Sequence, residues 1–344
     1  MNEDQSLQLS IIVPVYNVEA YIRPCIESIF QQILDEKCFE VIIVNDGTRD
    51  HSIEVIQDII DQHKNITIIN QVNQGLSVAR NNGIAMAKGE YILMPDPDDL
   101  LIKNSLKPLL EKALDYHADL VVADFLTMTD DEIDNMQTIP QKDFIIQEKN
   151  GERLFLEDLN PYHCFVWRTL YKKSFLINEN IKFYPGIRFQ DIPFTHECYL
   201  KARKCLRISW ILNIYRKWPG ASTGFYNVDK LKDYCKAIAL TWQLTHQNLK
   251  PMLCNKLKED MWISFTVMLR HMVHEIKKNS DRNKIIKFLK KEAPDLFFRN
   301  GIKQRISSLV FMYMPHTFIR LCHMYVIFVE DRLLPFYYKK VRKL

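Results

Sequence analysis

The sequence predicts an α/β fold: a mainly parallel sheet flanked by helices, followed by a C-terminal helical region. Two observations carry that reading. Short, β-branched apolar runs alternate with segments of helical period up to about residue 125, and such alternation makes parallel strands joined by helical crossovers. From about Val228 the strand-like runs stop, and a helical pattern rich in Lys, Met and aromatics takes over. A length of 344 residues is enough for two domains, read here as 1–225 and 226–344.

Each element has its own signal. Leu9–Val15 is apolar throughout and stops at Tyr16-Asn17, the mark of a strand buried on both faces. Val18–Gln32 places Tyr21, Ile22, Cys25, Ile26 and Ile29 on one helical stripe. Phe39–Val44 is a second strand, ending in Asn45-Asp46-Gly47-Thr48. Asp50–His63 reads as a helix and Ile66–Asn70 as a third strand. Gly75–Lys88 reads as a helix with Gly89 placed to end it. Tyr91–Met94 is a fourth strand, closing on Pro95-Asp96-Pro97-Asp98-Asp99. A helix near Ile102–Tyr116 leads to the strand Leu120–Phe125, and the acidic, weakly periodic residues 127–160 suit a surface insertion.

The net charge of +4 conceals a division. Residues 1–200 hold 17 basic against 32 acidic residues, a net of −15, and residues 201–344 hold 29 against 10, a net of +19. Opposed halves argue for two surfaces with different partners and against nucleic acid bound along the whole chain. The acidic, polar start Met1–Gln5 is unlike a secretory leader. No window reaches the ~18 apolar residues of a membrane span. Eight scattered cysteines without a C-x-x-C pair suit reduced, buried thiols, and no Cys/His set has zinc-ligand spacing. With nine glycines the chain has neither a phosphate-cradling P-loop nor a G-x-G-x-x-G turn.

In open α/β sheets, ligands bind beyond the carboxyl ends of the strands. The loops expected there are Tyr16-Asn17, Asn45–Gly47 and Asp96–Asp99. Three carboxylates within four residues repel one another unless a cation joins them, and carboxylate oxygens are the hard ligands that suit Mg²⁺ or Mn²⁺. Asp96 and Asp98 are read as metal and nucleotide residues. Asp99 suits that work or a cap on the next helix.

These motifs resemble, in order, those of family-2 glycosyltransferases of the GT-A fold: Ile11–Asn17, Val44–Asp50, Gly75–Ile84, Gly89–Ile92 and Asp96–Asp99. The resemblance is clear over residues 7–125, patchy to about 225 and absent beyond. It implies inverting transfer of one sugar from a nucleoside diphosphate sugar, with UDP as the expected carrier, to an acceptor hydroxyl. It also implies roles. Tyr16 stacks on the donor base, Asp46 hydrogen-bonds it, and Pro14 lies on the donor side. Arg80 contacts the nucleotide or its diphosphate, Asp96 lies at the ribose and sugar, and Asp98 holds Mn²⁺ or Mg²⁺. Such a metal and an arginine would stabilise the leaving diphosphate.

Pro185–Ile192 resembles the family stretch that carries the base, which makes Asp191 the candidate. Gln190 stands where the family has a first carboxylate, leaving Asp191 without an adjacent like charge to raise its pKa. Asp191 also suits the N-cap of a helix over Ile192–Ala202. Trp167, in a stretch resembling the acceptor side, suits a sugar platform or a core position. Tyr215–Thr223 resembles a loop over the diphosphate, in which Arg216, Lys217 or Ser222 would clamp phosphates. Asn45 departs from the usual Asp, and Pro97 stiffens the acidic loop without removing a ligand. The chain lacks the Q-x-x-R-W motif of processive synthases.

Basic residues stand beside apolar ones in Lys277–Phe298, and the end of the chain, Tyr337 to Lys343, is strongly basic. Such helices suit an anionic membrane interface, where each basic residue adds ~1 kcal/mol, or a solvated face over a helical core. The first reading places the enzyme in the cytoplasm, peripheral on the inner membrane face, with a lipid-linked or growing surface glycan as acceptor. Two rivals remain open: a metal-dependent nucleotidyltransferase, and a catalytically inactive domain serving as a binding module.

Overall fold

A computed structural model describes residues 7–136, 141–218 and 225–297, with Thr317. The chain divides into two compact units, 1–221 and 222–344.

The first unit is built on one curled sheet. Its elements are β1 (Leu9–Val15), α1 (Ile22–Phe30), β2 (Phe39–Asn45), α2 (Gln57–Gln62), β3 (Ile66–Asn70), α3 (Leu76–Met86), β4 (Tyr91–Leu93), β5 (Leu100–Leu101), α4 (Leu106–Tyr116) and β6 (Leu120–Thr129). There follow α5 (Asp130–Asp134), β7 (Ile146–Lys149), α6 (Gly151–Glu157), β8 (Thr169–Lys172), α7 (Lys173–Asn178), α8 (Asp191–Lys201) and β9 (Cys205–Lys217). The strand order is β3-β2-β1-β4-β8-β6-β9-β5, with β7 on β9. The β3-β2-β1-β4 half is parallel, as are β6 and β9; β8, β5 and β7 pair antiparallel.

Burial explains the apolar runs. Every residue of β1 is buried. Leu9, Ile11, Val13 and Val15 join Ile22, Ile26 and Ile29 of α1 and Leu106, Leu109 and Leu110 of α4 in one core. On the opposite face Ile12 meets α3. A Cβ on Gly83 would stand 2.3 Å from Ile12 Cγ2, so the small Ala79 and Gly83, one turn apart, let α3 lie close on the strand. Pro14, which has no N–H to donate, is buried in β1 beyond its last pair with β4, Ile11↔Leu93.

Several sequence expectations shift. Gly89 does not cap α3, which ends at Met86 with Ala87 after it. It is needed for space instead: a Cβ there would lie 2.4 Å from the Leu9 carbonyl carbon. Asp99 does not cap a helix. The two-residue β5 follows it, and α4 starts only after Ser105. The helix expected over Asp50–His63 is a 3-10 turn, Glu54–Ile56, followed by the short α2. Residues 127–160 are more than an insertion, since they extend β6 and supply β7 and α6.

The second unit contains α9 (Val228–Gln243), α10 (Pro251–Glu275) and α11 (Asn279–Glu292). Asn227 caps α9 by accepting from Lys230 N at 2.9 Å, and Pro251 occupies the first turn of α10, where its missing N–H costs nothing. On α11, Ile285, Ile286 and Leu289 are buried, while Lys284, Lys287 and Lys291 are exposed. The apolar face of α11 is therefore already covered by protein, and its outer face is basic. Among the described residues no helix is long and apolar enough to cross a membrane. The basic segments after residue 298 lie outside the described residues, as does Cys322. The seven described cysteines are free thiols.

Candidate active site

The carboxyl ends of β1, β2 and β4 come together as the sequence leads one to expect. The first two are stitched by polar bonds: Asn17 N donates to Thr48 Oγ1 at 2.8 Å, and Arg49 N to Asn17 Oδ1 at 3.1 Å. The Tyr16 ring beside this seam is 39% exposed, free to meet a planar ligand. Asn45 ties β2 to β3 and to the loop after it. Its amide donates to Asn70 Oδ1 at 2.9 Å while its oxygen accepts from Thr48 N at 3.0 Å.

Asp46 is 3% exposed. Its Oδ1 accepts from Gln71 Nε2 at 2.7 Å and Gln74 N at 2.8 Å, and its Oδ2 from Gly75 N at 2.8 Å and Asn73 Nδ2 at 3.3 Å. Four donors fill the acceptor positions of a carboxylate. In this structure Asp46 anchors loop 71–75, which launches α3.

That helix delivers Arg80, 1% exposed, whose guanidinium pairs with Asp96 Oδ1. Its other face lies over the Phe183 ring, 5.3 Å from the centroid. Phe183 is pinned to α3 by Asn81, through bonds of 2.8 and 3.0 Å, and stacks on Phe194 of α8 at 3.8 Å. The same packing thus links Arg80 to the helix that begins with Asp191.

Asp191 is the first residue of α8, and Gln190 holds the N-cap position without a side-chain capping bond, so the capping role is not taken up. Burial pushes the Asp191 carboxyl up to about 6; Arg80 and the N–H groups of Asp191 and Ile192 oppose the rise, and Asp96 adds to it. The raised pKa expected to be missing is present, because burial supplies what an adjacent carboxylate would have. Gln190 is buried, and its Oε1 has no hydrogen-bond partner.

In the acidic loop, burial likewise lifts Asp96 to about 6, Arg80 pulling down and Asp98 pushing up. Asp99 is raised well above the carboxylate range, first by burial and then by Asp96 and Asp98. Its Oδ1 accepts from Arg216 N at 2.9 Å, and its buried Oδ2 has no partner. Asp98 Oδ2 accepts from the Trp218 indole at 3.0 Å. Arg216, expected at the phosphates, is 9% exposed, pairs with Asp130 at 3.1 Å and lies over the Tyr21 ring. Ser222 lies outside the described residues.

The loop suits a divalent ion shared with a diphosphate. It has hard oxygen donors, mutual repulsion and an orphaned Asp99 oxygen. Among the described residues no three metal-ligating side chains form a ready cage, as fits an ion held by one or two carboxylates plus phosphates.

Trp167 is 2% exposed in a stack with Phe165 at 4.7 Å and Tyr215 at 5.7 Å. That burial favours the core position over a sugar platform. The roles of Trp218 and Phe183 are not visible in the sequence. Phe183 is one apolar residue among many in sequence; Trp218, an aromatic just past a strand opposite an acidic loop, was the available signal.

The curled, mainly parallel sheet flanked by helices, with an acidic loop at its carboxyl end, has the architecture of the GT-A fold. S. aureus TarS 1–349 in complex with UDP-GlcNAc has this fold, with a TM-score of 0.64 at 21% identity over 83% of this chain and 80% of that one. Residues 10–177 match the model of glycosyl transferase family 2. Glycosyltransferase GlyG of Streptococcus pneumoniae serotype 4 is 30% identical over 220 residues, 62% of this chain and 72% of GlyG. The chain belongs to glycosyl transferase family 2. The uncharacterized glycosyltransferase EpsJ of Bacillus subtilis is 35% identical over 219 residues, and the match spans 62% of its length.

Proposed function

We propose that the protein is an inverting glycosyltransferase that moves one sugar from an NDP-sugar, with UDP as carrier, to an acceptor hydroxyl of a surface glycan or lipid-linked precursor. The observation that carries this reading is the cluster of Asp96, Arg80 and Asp191 at the carboxyl ends of the strands, in which burial raises both carboxyl groups and Arg80 opposes the rise. Family membership and the UDP-GlcNAc complex of the related fold support the donor class.

In this reading Asp191 takes the proton of the acceptor hydroxyl as its oxygen attacks the anomeric carbon. A bond forms on that face while the bond to the diphosphate oxygen breaks on the other, and the diphosphate leaves with the electron pair. A carboxylate near pKa 6 is ionised at neutral pH yet more basic than an ordinary aspartate, the range a general base needs. Arg80 meets the donor's negative charge from a dry, fixed position. Tyr16 offers its exposed ring to the base. Asp98, with Asp99 behind it, would hold Mg²⁺ or Mn²⁺, which when bound neutralises charge on the departing diphosphate.

A screen of NDP-sugars for hydrolysis with Mn²⁺ present tests the reading and names the donor. Asp98→Ala is expected to abolish metal-dependent NDP release; unchanged release would remove the metal role. Asp191→Asn is expected to keep donor binding and lose transfer, and equal transfer would assign the base elsewhere. The basic second unit is read as an electrostatic contact with the inner membrane face. Replacing Lys339, Lys340, Arg342 and Lys343 by Ala should lower pelleting with anionic vesicles at low salt.

A further inference from the structure

The two carboxylates that begin and continue the acidic motif are held in chemically opposite ways. Asp96 is met by the guanidinium of Arg80, which cancels its charge. Asp98 is met by the indole N–H of Trp218, donating to Oδ2 at 3.0 Å. An indole donates one hydrogen bond, accepts none and carries no charge at any working pH. It can therefore orient a carboxylate without neutralising it. No hydrogen bond engages Asp98 Oδ1, and no salt bridge engages either oxygen among the described residues.

The indole is itself fixed. Its ring lies 4.5 Å from that of Tyr21, tilted by 34°, and the Arg216 guanidinium covers Tyr21 at 5.1 Å from the centroid. Arg216 is tied in turn by its own N–H to Asp99 and by its side chain to Asp130. The end of β9 is thus fastened to the residue before α1 and to the acidic loop, and Trp218 stands one position beyond that strand. A Lys or Arg in its place would hold Asp98 as well, but would repel a cation.

We infer that Trp218 is a positioning residue that orients Asp98 through a neutral hydrogen bond, which brings no counter-charge to the aspartate and leaves its other oxygen for a divalent cation. This rests on the metal role proposed for Asp98 above. It separates the labour within one motif: Asp96 is compensated by protein, and Asp98 is left for the ion.

The test uses the full chain and Mn²⁺ alone, with free Mn²⁺ followed by electron paramagnetic resonance. Trp218→Phe keeps a ring for Tyr21 and loses only the N–H. It is expected to weaken Mn²⁺ binding about tenfold, the scale of losing an outer-sphere partner, while kcat at saturating Mn²⁺ stays within about twofold. In an Asp98→Asn background the same change is expected to do nothing further, and Trp218→Arg is expected to bind Mn²⁺ no better than Trp218→Phe. A readout on the unaltered protein guards against misfolding. Of the five tryptophan indole N–H signals seen by ¹⁵N NMR, one should shift on titration with Mg²⁺. Wild-type affinity in Trp218→Phe, or five unmoved indole signals in a protein that binds the ion, overturns the inference. A wild-type protein that binds no Mn²⁺, or an Asp98→Asn variant that binds as tightly as wild type, overturns the metal role of Asp98 instead.

Discussion

The guanidinium of Arg80 hydrogen-bonds the carboxylate of Asp96 from a position only 1% exposed. A buried arginine is costly unless its charge is answered. Here the answer comes from Asp96, from the face of Phe183 and from the nearby Asp191. Arg80 lowers the pKa of both carboxyl groups, each of which burial has raised to about 6. Arg80→Met should therefore push both higher. The acid limb of the pH profile of kcat/KM is expected to move up by about one unit, on top of a loss of about 10²–10³-fold in rate at neutral pH. A reduced rate with an unmoved limb would separate Arg80 from these two acids.

Asp191 sits in a place that disfavours its own charge. Its carboxyl ionises near 6 when folded against 3.8 as an ordinary side chain. The unfolded chain thus gives up the proton first. The full stability is present below pH 3.8, falls between about 4 and 6, and stays reduced above that. Asp191 is half-buried, so solvent screening reduces the cost to about 1 kcal/mol at neutral pH. Asp191→Asn is expected to raise the Tm by about 2–4 °C at pH 7.5 while abolishing transfer, and to leave the Tm nearly unchanged at pH 4. A lower Tm at pH 7.5 would show that the carboxylate is well solvated in the fold.

How much of this was legible follows from what a sequence encodes. The strands β1 to β4 announce themselves, because a strand buried on both faces must be apolar throughout, and the loops at their ends stand out by contrast. The two-residue β5 gives no period to detect. Asp96, Asp98 and Asp191 could be named from residue type and motif order, but the pKa near 6 comes from burial, which no local pattern records. The partners of Asp46 lie 25 to 29 residues away, and Trp218 is 120 residues from Asp98. Such pairings belong to the folded chain. The use of Asn45 is likewise a matter of the fold, in its bonds to Asn70 and to Thr48 N.

The clamp around Asp46 gives a local prediction. Asp46→Ala leaves the N–H groups of Gln74 and Gly75 and two side-chain amides without their acceptor; Asn73 and Gln74 are exposed, so water meets part of the loss and each bond counts for about 0.5–1.5 kcal/mol. The loop is expected to loosen before the whole domain does. Hydrogen exchange at Gln74 and Gly75 should accelerate by at least about tenfold, and donor affinity should fall because α3 and Arg80 are no longer held from below. Unchanged protection at these two amides would mean that the loop is held by other contacts.

Two glycines separate backbone crowding from side-chain crowding. A Cβ on Gly89 would meet the Leu9 carbonyl carbon at 2.4 Å and Ser10 N at 2.5 Å. Those atoms belong to the central strand, and Gly89 N also donates to Ser10 Oγ at 2.8 Å, which in turn donates to the buried Glu40 at 2.7 Å. Nothing in that chain can move without shifting β1. A Cβ on Gly83 would meet Ile12 Cγ2 at 2.3 Å, a side-chain methyl rather than backbone. Gly89→Ala is expected to cost about 3 kcal/mol or more, seen as a fall in Tm of about 6–12 °C. Gly83→Ala should cost less, because alanine favours the helix by about 1 kcal/mol and the clash is with one side chain rather than with the backbone of the central strand. Equal losses in the two variants would show that α3 is as rigidly seated on β1 as the backbone at Gly89.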